Sequence, residues 1–423
     1  MYIDNFYDAS SVGDSDVIEP KGKATLPISK LRRVALEQQG LLRRAHFGRG
    51  KNATLRAIEH LGYVQIDTIS VVQRAHHHVL RTRVPNYETA FLDRLQAEAK
   101  VFEYWYHAAA YLPMRDYRFA LPRMRAMKRH STEGGAGWVR SRDKQLMDKI
   151  LDRIRIDGRL RSRDFEDTGG SNAGWWDWKP AKRALEQLFI QGDLMITGRV
   201  GFQKSYDLPE RVLPSDVNVD EPTTDELAHH VVGNTLRAHG FATLKSFTHG
   251  RKGSALRQAV KKCLEDGAVG GRFARFTTAN GTLWYGDRSS LEPRAPSTSA
   301  SVRILSPFDN AVILRHRAQV LFEFDYQIEC YVKAEHRRFG YFCLPILYRD
   351  RFVGRMDCKA HRQDRHLEIR RLFIEAPVDD GFLQAFTDAT WDFAGCNDCV
   401  EVSLTSCEPG KLTTQIATSL KAQ

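Results

Sequence analysis

Ala181-Lys182-Arg183-Ala184-Leu185-Glu186-Gln187-Leu188-Phe189-Ile190-Gln191 is the stretch from which the fold is read. Ala184, Leu185, Leu188 and Phe189 recur at helical spacing and make one apolar stripe. Two β-prone runs follow, Leu194–Arg199 and Phe202–Leu208, with a Gly-containing turn between them. Upstream lie a helical pattern over Lys144–Gly158, then Leu160-Arg161-Ser162-Arg163-Asp164-Phe165, then Trp175-Trp176-Asp177-Trp178-Lys179-Pro180. Three helices and then a hairpin is the order of a winged helix. In that arrangement Lys179, Lys182 and Arg183 open the recognition helix, where DNA contacts sit; a merely solvated face is the competing reading.

The same order recurs downstream. Glu221-Pro222-Thr223-Thr224-Asp225-Glu226 reads as a boundary and helix cap, followed by helices at Glu226–His239, from Thr243-Leu244-Lys245, and at Ser254–Asp266. Strands are expected at Val269–Phe276 and Leu283–Tyr285, and Glu292–Ser301 reads as a linker. Upstream, helices over Ile28–Gln39 and Thr54–Leu61 open a first unit. The last part is rich in short β-prone runs, Val320–Phe324, Gly340–Leu347, Arg351–Met356, Leu367–Glu375 and Val400–Leu404, with a helix over Asp380–Ala394. The expectation is an α+β protein: an acidic, disordered tail (1–27), winged-helix units at 28–140, 141–220 and 221–296, and a small β-barrel or curled sheet at 297–423. Asp4, Asp8, Asp14, Asp16 and Glu19 supply the charge of the tail.

A chain of 423 residues exceeds one ordinary core, which agrees with several units. No apolar run approaches the ~20 residues a membrane helix needs, and the N-terminus lacks a basic-then-apolar signal, so a cytoplasmic protein is expected. The seven cysteines, from Cys263 to Cys407, are an odd count and fit reduced thiols. Net charge is +11, and residues 115–163 hold fifteen Lys/Arg against six Asp/Glu. So concentrated an excess favours a polyanion, with duplex nucleic acid the leading candidate.

Within the first unit, Gly62-Tyr63-Val64-Gln65-Ile66-Asp67-Thr68-Ile69 places a carboxamide and a carboxylate two residues apart. In an extended segment these share a face, with Val64, Ile66 and Ile69 as anchors. Such a pair holds one water, the amide positioning it and the carboxylate accepting its proton. The alternative is that Asp67 caps the following helix. Next comes Gln73-Arg74-Ala75-His76-His77-His78-Val79-Leu80-Arg81-Thr82-Arg83. Three adjacent histidines do not all chelate one metal from a regular element; His76, His77, Arg81 and Arg83 are read as DNA contacts, with plain surface placement the competing reading. In Val101-Phe102-Glu103-Tyr104-Trp105-Tyr106-His107, the alternating Glu103, Trp105 and His107 would form a second wall of a nucleotide pocket beside Gln65 and Asp67; an aromatic core strand or helix edge with one satisfied histidine is the competing reading. Lys333, Arg337 and Arg338 lie on a charged tip, Tyr331–Gly340, expected to be a hairpin reaching into a groove. Cys396-Asn397-Asp398-Cys399 is a lone CxxC; with Cys358 and His361 it lacks standard finger form, and no metal or cofactor is expected.

Gly62–Asp67, Arg74–His78, Glu103–His107, Trp178–Pro180, Gly201–Pro214, Leu305-Ser306-Pro307-Phe308-Asp309-Asn310 and Gly340–Leu347 together resemble one family. It is the bacterial winged-helix DNA glycosylase family that unhooks interstrand crosslinks, the AlkZ/YcaQ type. The resemblance spans roughly residues 28 to 405. It implies a C-shaped monomer with double-stranded DNA in its concavity, carrying alkylated or crosslinked guanine, and a nucleoid-associated location. The family's catalytic signature is Gln, an aliphatic residue, then Gln or Asp; Gln65-Ile66-Asp67 matches the Asp-bearing branch. Lys333 departs from it, standing where the family's hairpin has Pro. The implied activity is hydrolysis of the N-glycosidic bond of N7-alkylguanine without a lysine nucleophile, and Asp67 should need no raised pKa. A regulator of the winged-helix type without catalysis is the alternative; such proteins usually carry a dimerisation element or ligand domain, and neither is evident.

Overall fold

The computed structural model describes residues 26–132, 144–168, 180–251, 253–292 and 296–421. Nearly all of the expected tail, the Trp175–Trp178 run, Lys179 and part of the basic stretch lie outside these.

The first unit contains α1 (Ile28–Gln38), α2 (Gly50–Leu61), β1 (Val64–Gln65), α3 (Ala75–Arg81), α4 (Thr89–Ala97), β2 (Val101–Trp105) and β3 (Ala109–Pro113). A short 3₁₀ stretch leads into α5 (Leu121–Thr132). The second unit runs α6 (Lys144–Asp157), β4 (Leu160–Arg161), a 3₁₀ turn at Ser162–Thr168, α7 (Pro180–Gln191), β5 (Met195–Val200), β6 (Gln203–Asp207) and the single turn α8 (Pro209–Val212). The third runs α9 (Thr224–His239), β7 (Phe241–Ala242), α10 (Leu244–Phe247), α11 (Ser254–Val269), β8 (Phe273–Thr277), β9 (Leu283–Asp287) and α12 (Arg288–Leu291). Each unit holds a three-stranded sheet of the same order, β1-β3-β2, β4-β6-β5 and β7-β9-β8. In each, helical segments separate the first strand from a closing hairpin.

Local chemistry explains the elements. Thr223 and Glu226 form a full capping box at the start of α9. On α7, Ala184, Leu185 and Leu188 are buried while Lys182 and Arg183 stay exposed. One core joins α7 and β6 to β2 through Leu185, Leu188, Tyr206, Phe102 and Tyr104, fusing the first two units.

The C-terminal part is β10 (Val302–Ile304), α13 (Arg315–Phe322), β11 (Cys343–Tyr348), β12 (Arg351–His361), β13 (His366–Ile374), α14 (Gly381–Gly395), β14 (Glu401–Leu404), β15 (Cys407–Glu408) and α15 (Thr413–Lys421). Its sheet runs β10-β11-β12-β13-β14, with β15 also on β13. Bulges at Ile346/Leu347 and Asp357/Cys358 bend it. Among the described residues the ends do not pair, so this is a curled half-barrel and not a closed barrel.

Two expected strands are corrected. Val269 is still helical, because α11 carries on to the strand's approach at Phe273. The run Val320–Phe324 is mostly helix: Ala318, Leu321 and Phe322 pack with Leu31, Val34 and Ala35 of α1, a helical spacing that a short apolar run conceals. Tyr331–Gly340 is accordingly not a β-hairpin tip. It is a loop with one 3₁₀ turn, held by the Glu329 carboxylate, which accepts from the backbone N–H of Arg338 (3.0 Å), Phe339 (2.8 Å) and Gly340 (3.0 Å). No helix of the described residues is long and apolar enough to cross a membrane.

Candidate active site

Helix α2 stops at Gly62, whose φ of +78° is a left-handed turn that favours glycine; its N–H donates to Ile58 O at 2.9 Å. The chain then runs as β1 along β3, Gln65 opposite Ala110, and the Ile66 N–H continues the ladder to Ala109 O at 2.8 Å. Val64 and Ile66 point into the first unit's core. Gln65 stands on the other face, and Asp67, partly exposed, follows where the strand ends. From the C-terminal part, the buried Asn310 donates its amide to Tyr63 O (3.1 Å), clamping the backbone just ahead of β1. Further on, Arg362 donates to Ser70 O (3.1 Å) and Val72 O (2.8 Å), and Ala360 N–H to Val71 O (3.0 Å). The loop after Asp67 is thus clasped to the end of β12.

Asp67 does not cap a helix. The next helix, α3, begins at Ala75 with Arg74 as its N-cap. Instead Asp67 Oδ1 accepts the Ile69 N–H at 2.7 Å, an Asx-type turn. Against the expectation, burial raises its pKa above the ordinary 3.8, and the Ile69 N–H only partly offsets this. The Asp67 charge in turn helps burial push up the Cys330 thiol, to about 11, and the Tyr331 phenol. The loop beginning at Tyr331, itself exposed, therefore stands next to this carboxylate.

His107 lies in the turn between β2 and β3, its Nε2 2.9 Å from Gln65 Oε1. Tyr63 stacks on Tyr106 at 4.3 Å and meets the His107 ring edge-on at 5.2 Å. The other residues of the expected second wall divide. Glu103 is buried and takes Arg199 bidentately, at 2.9 Å to Nε and 2.6 Å to Nη2, so it is a structural ion pair and not a DNA contact. Trp105 is half-buried under the Arg123 guanidinium, 5.8 Å from its ring.

Several expected DNA contacts prove internal. Arg83 is fully buried and makes a fork-to-fork pair with Asp309, 2.7 and 2.8 Å. His76 is buried against Phe202, and burial drives its pKa well below the usual range. His77 bonds Tyr87 Oη at 2.8 Å, and burial followed by Arg74 and Arg81 takes its pKa to about 4. Neither is a cation at neutral pH, so neither holds a phosphate by charge. Arg81, half-buried, donates to Cys396 Sγ at 3.0 Å. Lys182, Arg183, Lys333 and Arg338 are exposed, while Arg337 is tied to Val332 O at 2.8 Å. In the basic stretch Arg118 pairs with Glu226, Arg125 with Glu221 and Lys128 with Asp193, so three of its cations are answered across unit boundaries.

Sequence reasoning passed over Arg199, Phe202, the Tyr63–Tyr106 stack and His249–Arg251. Phe202 has φ +68°, rare for a non-glycine, and carries both Arg74 (4.2 Å) and Arg199 (4.3 Å) on its ring, joining the β5–β6 turn to the loop before α3. Its position after Gly201 in a hairpin turn was the only available signal.

A carboxamide on β1 and a carboxylate just past its end are the candidate site, and sequence comparison defines the class of the protein. The model of the family described as DNA glycosylase AlkZ-like matches residues 58–395. The chain belongs to that family and is a DNA glycosylase, an enzyme of DNA repair. Its structure is similar to that of Streptomyces sahachiroi DNA glycosylase AlkZ, at 15% sequence identity and a TM-score of 0.60, covering 90% of this chain and 100% of that one.

Proposed function

We propose that this glycosylase is monofunctional and hydrolyses the N-glycosidic bond of N7-alkylguanine, including guanines in nitrogen-mustard-type interstrand crosslinks, leaving an abasic site. Alkylation at N7 makes the base cationic and a good leaving group, so no acid is needed for its departure. What remains is to stabilise an oxocarbenium-like sugar and deliver water. Asp67 does the first by its charge and accepts the water's proton; Gln65 orients the water. Asp67 Oδ1 is taken by Ile69, and among the described residues no protein group engages Oδ2, which remains for the water.

The observation that carries this reading is a Gln65 amide held by His107 on β1, with the partly exposed Asp67 carboxylate two residues further on. We read the three units as tandem winged helices, on their common sheet order, with α7 as a recognition helix presenting Lys182 and Arg183. With the half-barrel they would make a C-shaped monomer around duplex DNA. A crosslinked base does not swing fully out of the duplex, so an open concave site suits it better than a deep flipping pocket. The test is incubation with duplexes carrying N7-methylguanine or a nitrogen-mustard crosslink, scoring free base and abasic sites. Asp67→Asn should slow release by about 10²–10³-fold. No release by the wild type, or undiminished release by the variant, overturns the reading.

A further inference from the structure

We propose that His107 is a positioning residue that fixes the orientation of the Gln65 carboxamide, and that the third unit sets its place through Gly250. This rests on the assignment of Gln65 and Asp67 as the water-activating pair.

The chemistry of the 2.9 Å contact is one-sided. Gln65 Oε1 only accepts, so His107 Nε2 carries the proton, and Nδ1 is left as a lone pair. That Nδ1 is buried and has no hydrogen-bond partner. Burial, then the His249 and Arg251 charges, push the imidazole pKa down to about 3, so the ring is neutral at any working pH. With an N–H held against it, the amide keeps its oxygen towards His107 and turns its NH₂ away, free to donate to the water's lone pair while the water's proton faces Asp67. A flipped amide would be met only by moving the ring proton to Nδ1, where it would be a buried N–H without an acceptor, and would present a carbonyl to the water.

The third unit closes the far side of this ring. His249 lies 5.2 Å from it, and Arg251 stands over Tyr106 at 4.7 Å. Between them Gly250 has φ +68°, and a Cβ there would fall 2.4 Å from His107 Cβ and 3.1 Å from its Cα. Only glycine lets this loop approach so closely. A methyl group at this position displaces His107, and through it the Gln65 amide, although residue 250 is remote in sequence from the catalytic strand.

The test is single-turnover excision of N7-methylguanine from duplex DNA by wild type, His107→Leu, His107→Gln, Gly250→Ala and Asp67→Asn, with DNA affinity and thermal melting measured on each. His107→Leu should lower the rate constant about tenfold to a hundredfold, equivalent to about 1.4–2.7 kcal/mol at 1.36 kcal/mol per decade. DNA affinity and the acid limb of the pH profile should not change. His107→Gln, which restores a donor near the Nε2 position, should recover most of the rate, and Gly250→Ala should lose rate at unchanged affinity. The proposal falls if His107→Leu excises at the wild-type rate, if its defect lies in DNA affinity alone, or if Gln rescues no better than Leu. Should His107→Leu fail to fold, Gly250→Ala and His107→Gln decide by the same criteria. Loss of activity in Asp67→Asn with a normal His107→Leu overturns this proposal alone, whereas a fully active Asp67→Asn overturns the catalytic pair beneath it.

Discussion

Replacing Arg83 should cost stability and leave DNA binding untouched. Its guanidinium, fully buried, donates to Asp309 at 2.7 and 2.8 Å, to Gln39 O at 2.8 Å, to Gln39 Oε1 at 3.1 Å and to Val79 O at 3.1 Å. Arg83→Met removes the partner of a carboxylate that is itself fully buried, and breaking such a pair from one side costs about 3–5 kcal/mol. Asp309→Leu, which strands the guanidinium instead, should cost a similar amount, and the double variant should recover the larger part of the loss, since the stranded charge is the expensive state. Urea denaturation followed by circular dichroism measures the stability. DNA binding, titrated across salt concentrations where each variant is folded, tests the alternative role. A phosphate contact by Arg83 would lower the salt slope by about one on its removal. A reduced slope with unchanged stability refutes the reasoning.

Asp67→Asn should be at least as stable as the wild type at neutral pH while losing activity. Burial raises the folded-state pKa of Asp67, so the ionised carboxylate is penalised by folding. Its contribution to stability is therefore most favourable below the unfolded value and declines as pH rises through the folded one; denaturation at acid and neutral pH should show the variant's advantage only at the higher pH. Excision, which needs the carboxylate, should fall as pH drops through a value above 3.8, the ordinary carboxyl pKa. Arg199→Met should destabilise by about 3–5 kcal/mol, because it strands the buried Glu103 carboxylate, as read from its urea midpoint. Replacing both Lys182 and Arg183 by alanine should lower the salt slope of DNA binding by about two with little change in melting. Borohydride added during excision should trap no protein–DNA adduct, as expected of a mechanism without a lysine nucleophile.

Much of the scaffold was legible because it rests on local pattern. The stripe Ala184, Leu185, Leu188 and Phe189 fixed α7, and the Thr223/Glu226 box fixed the start of α9, since both depend on neighbours three or four residues away. The short apolar run Val320–Phe324 misled for the converse reason. Over five residues helix and strand periods look alike, and packing on α1 chose between them. At the site, an extended backbone holds only as far as Gln65 and the Ile66 N–H; Asp67 follows the strand in a turn closed on the Ile69 N–H, which the i, i+2 spacing does not announce.

What the chain could not announce locally was the fate of its charges. Arg81, Arg83, His76 and His77 read alike in a basic, histidine-rich segment, yet Arg83 is neutralised by Asp309, 226 positions away, and His76 is enclosed by the turn of another unit. Whether a charged side chain meets solvent, a phosphate or a buried partner depends on which remote segment packs over it, and that is set by the whole core. The sequence by itself determined the helices with a clear apolar stripe or cap, such as α7 and α9, and the candidate pair Gln65 and Asp67. Tertiary structure alone decided that Asp67 caps nothing, that Glu103 and Arg83 serve internal ion pairs, and that His107 holds Gln65 beneath a glycine of the third unit. Hydrogen bonding and desolvation act at contact distance, and chain separation carries no record of contact.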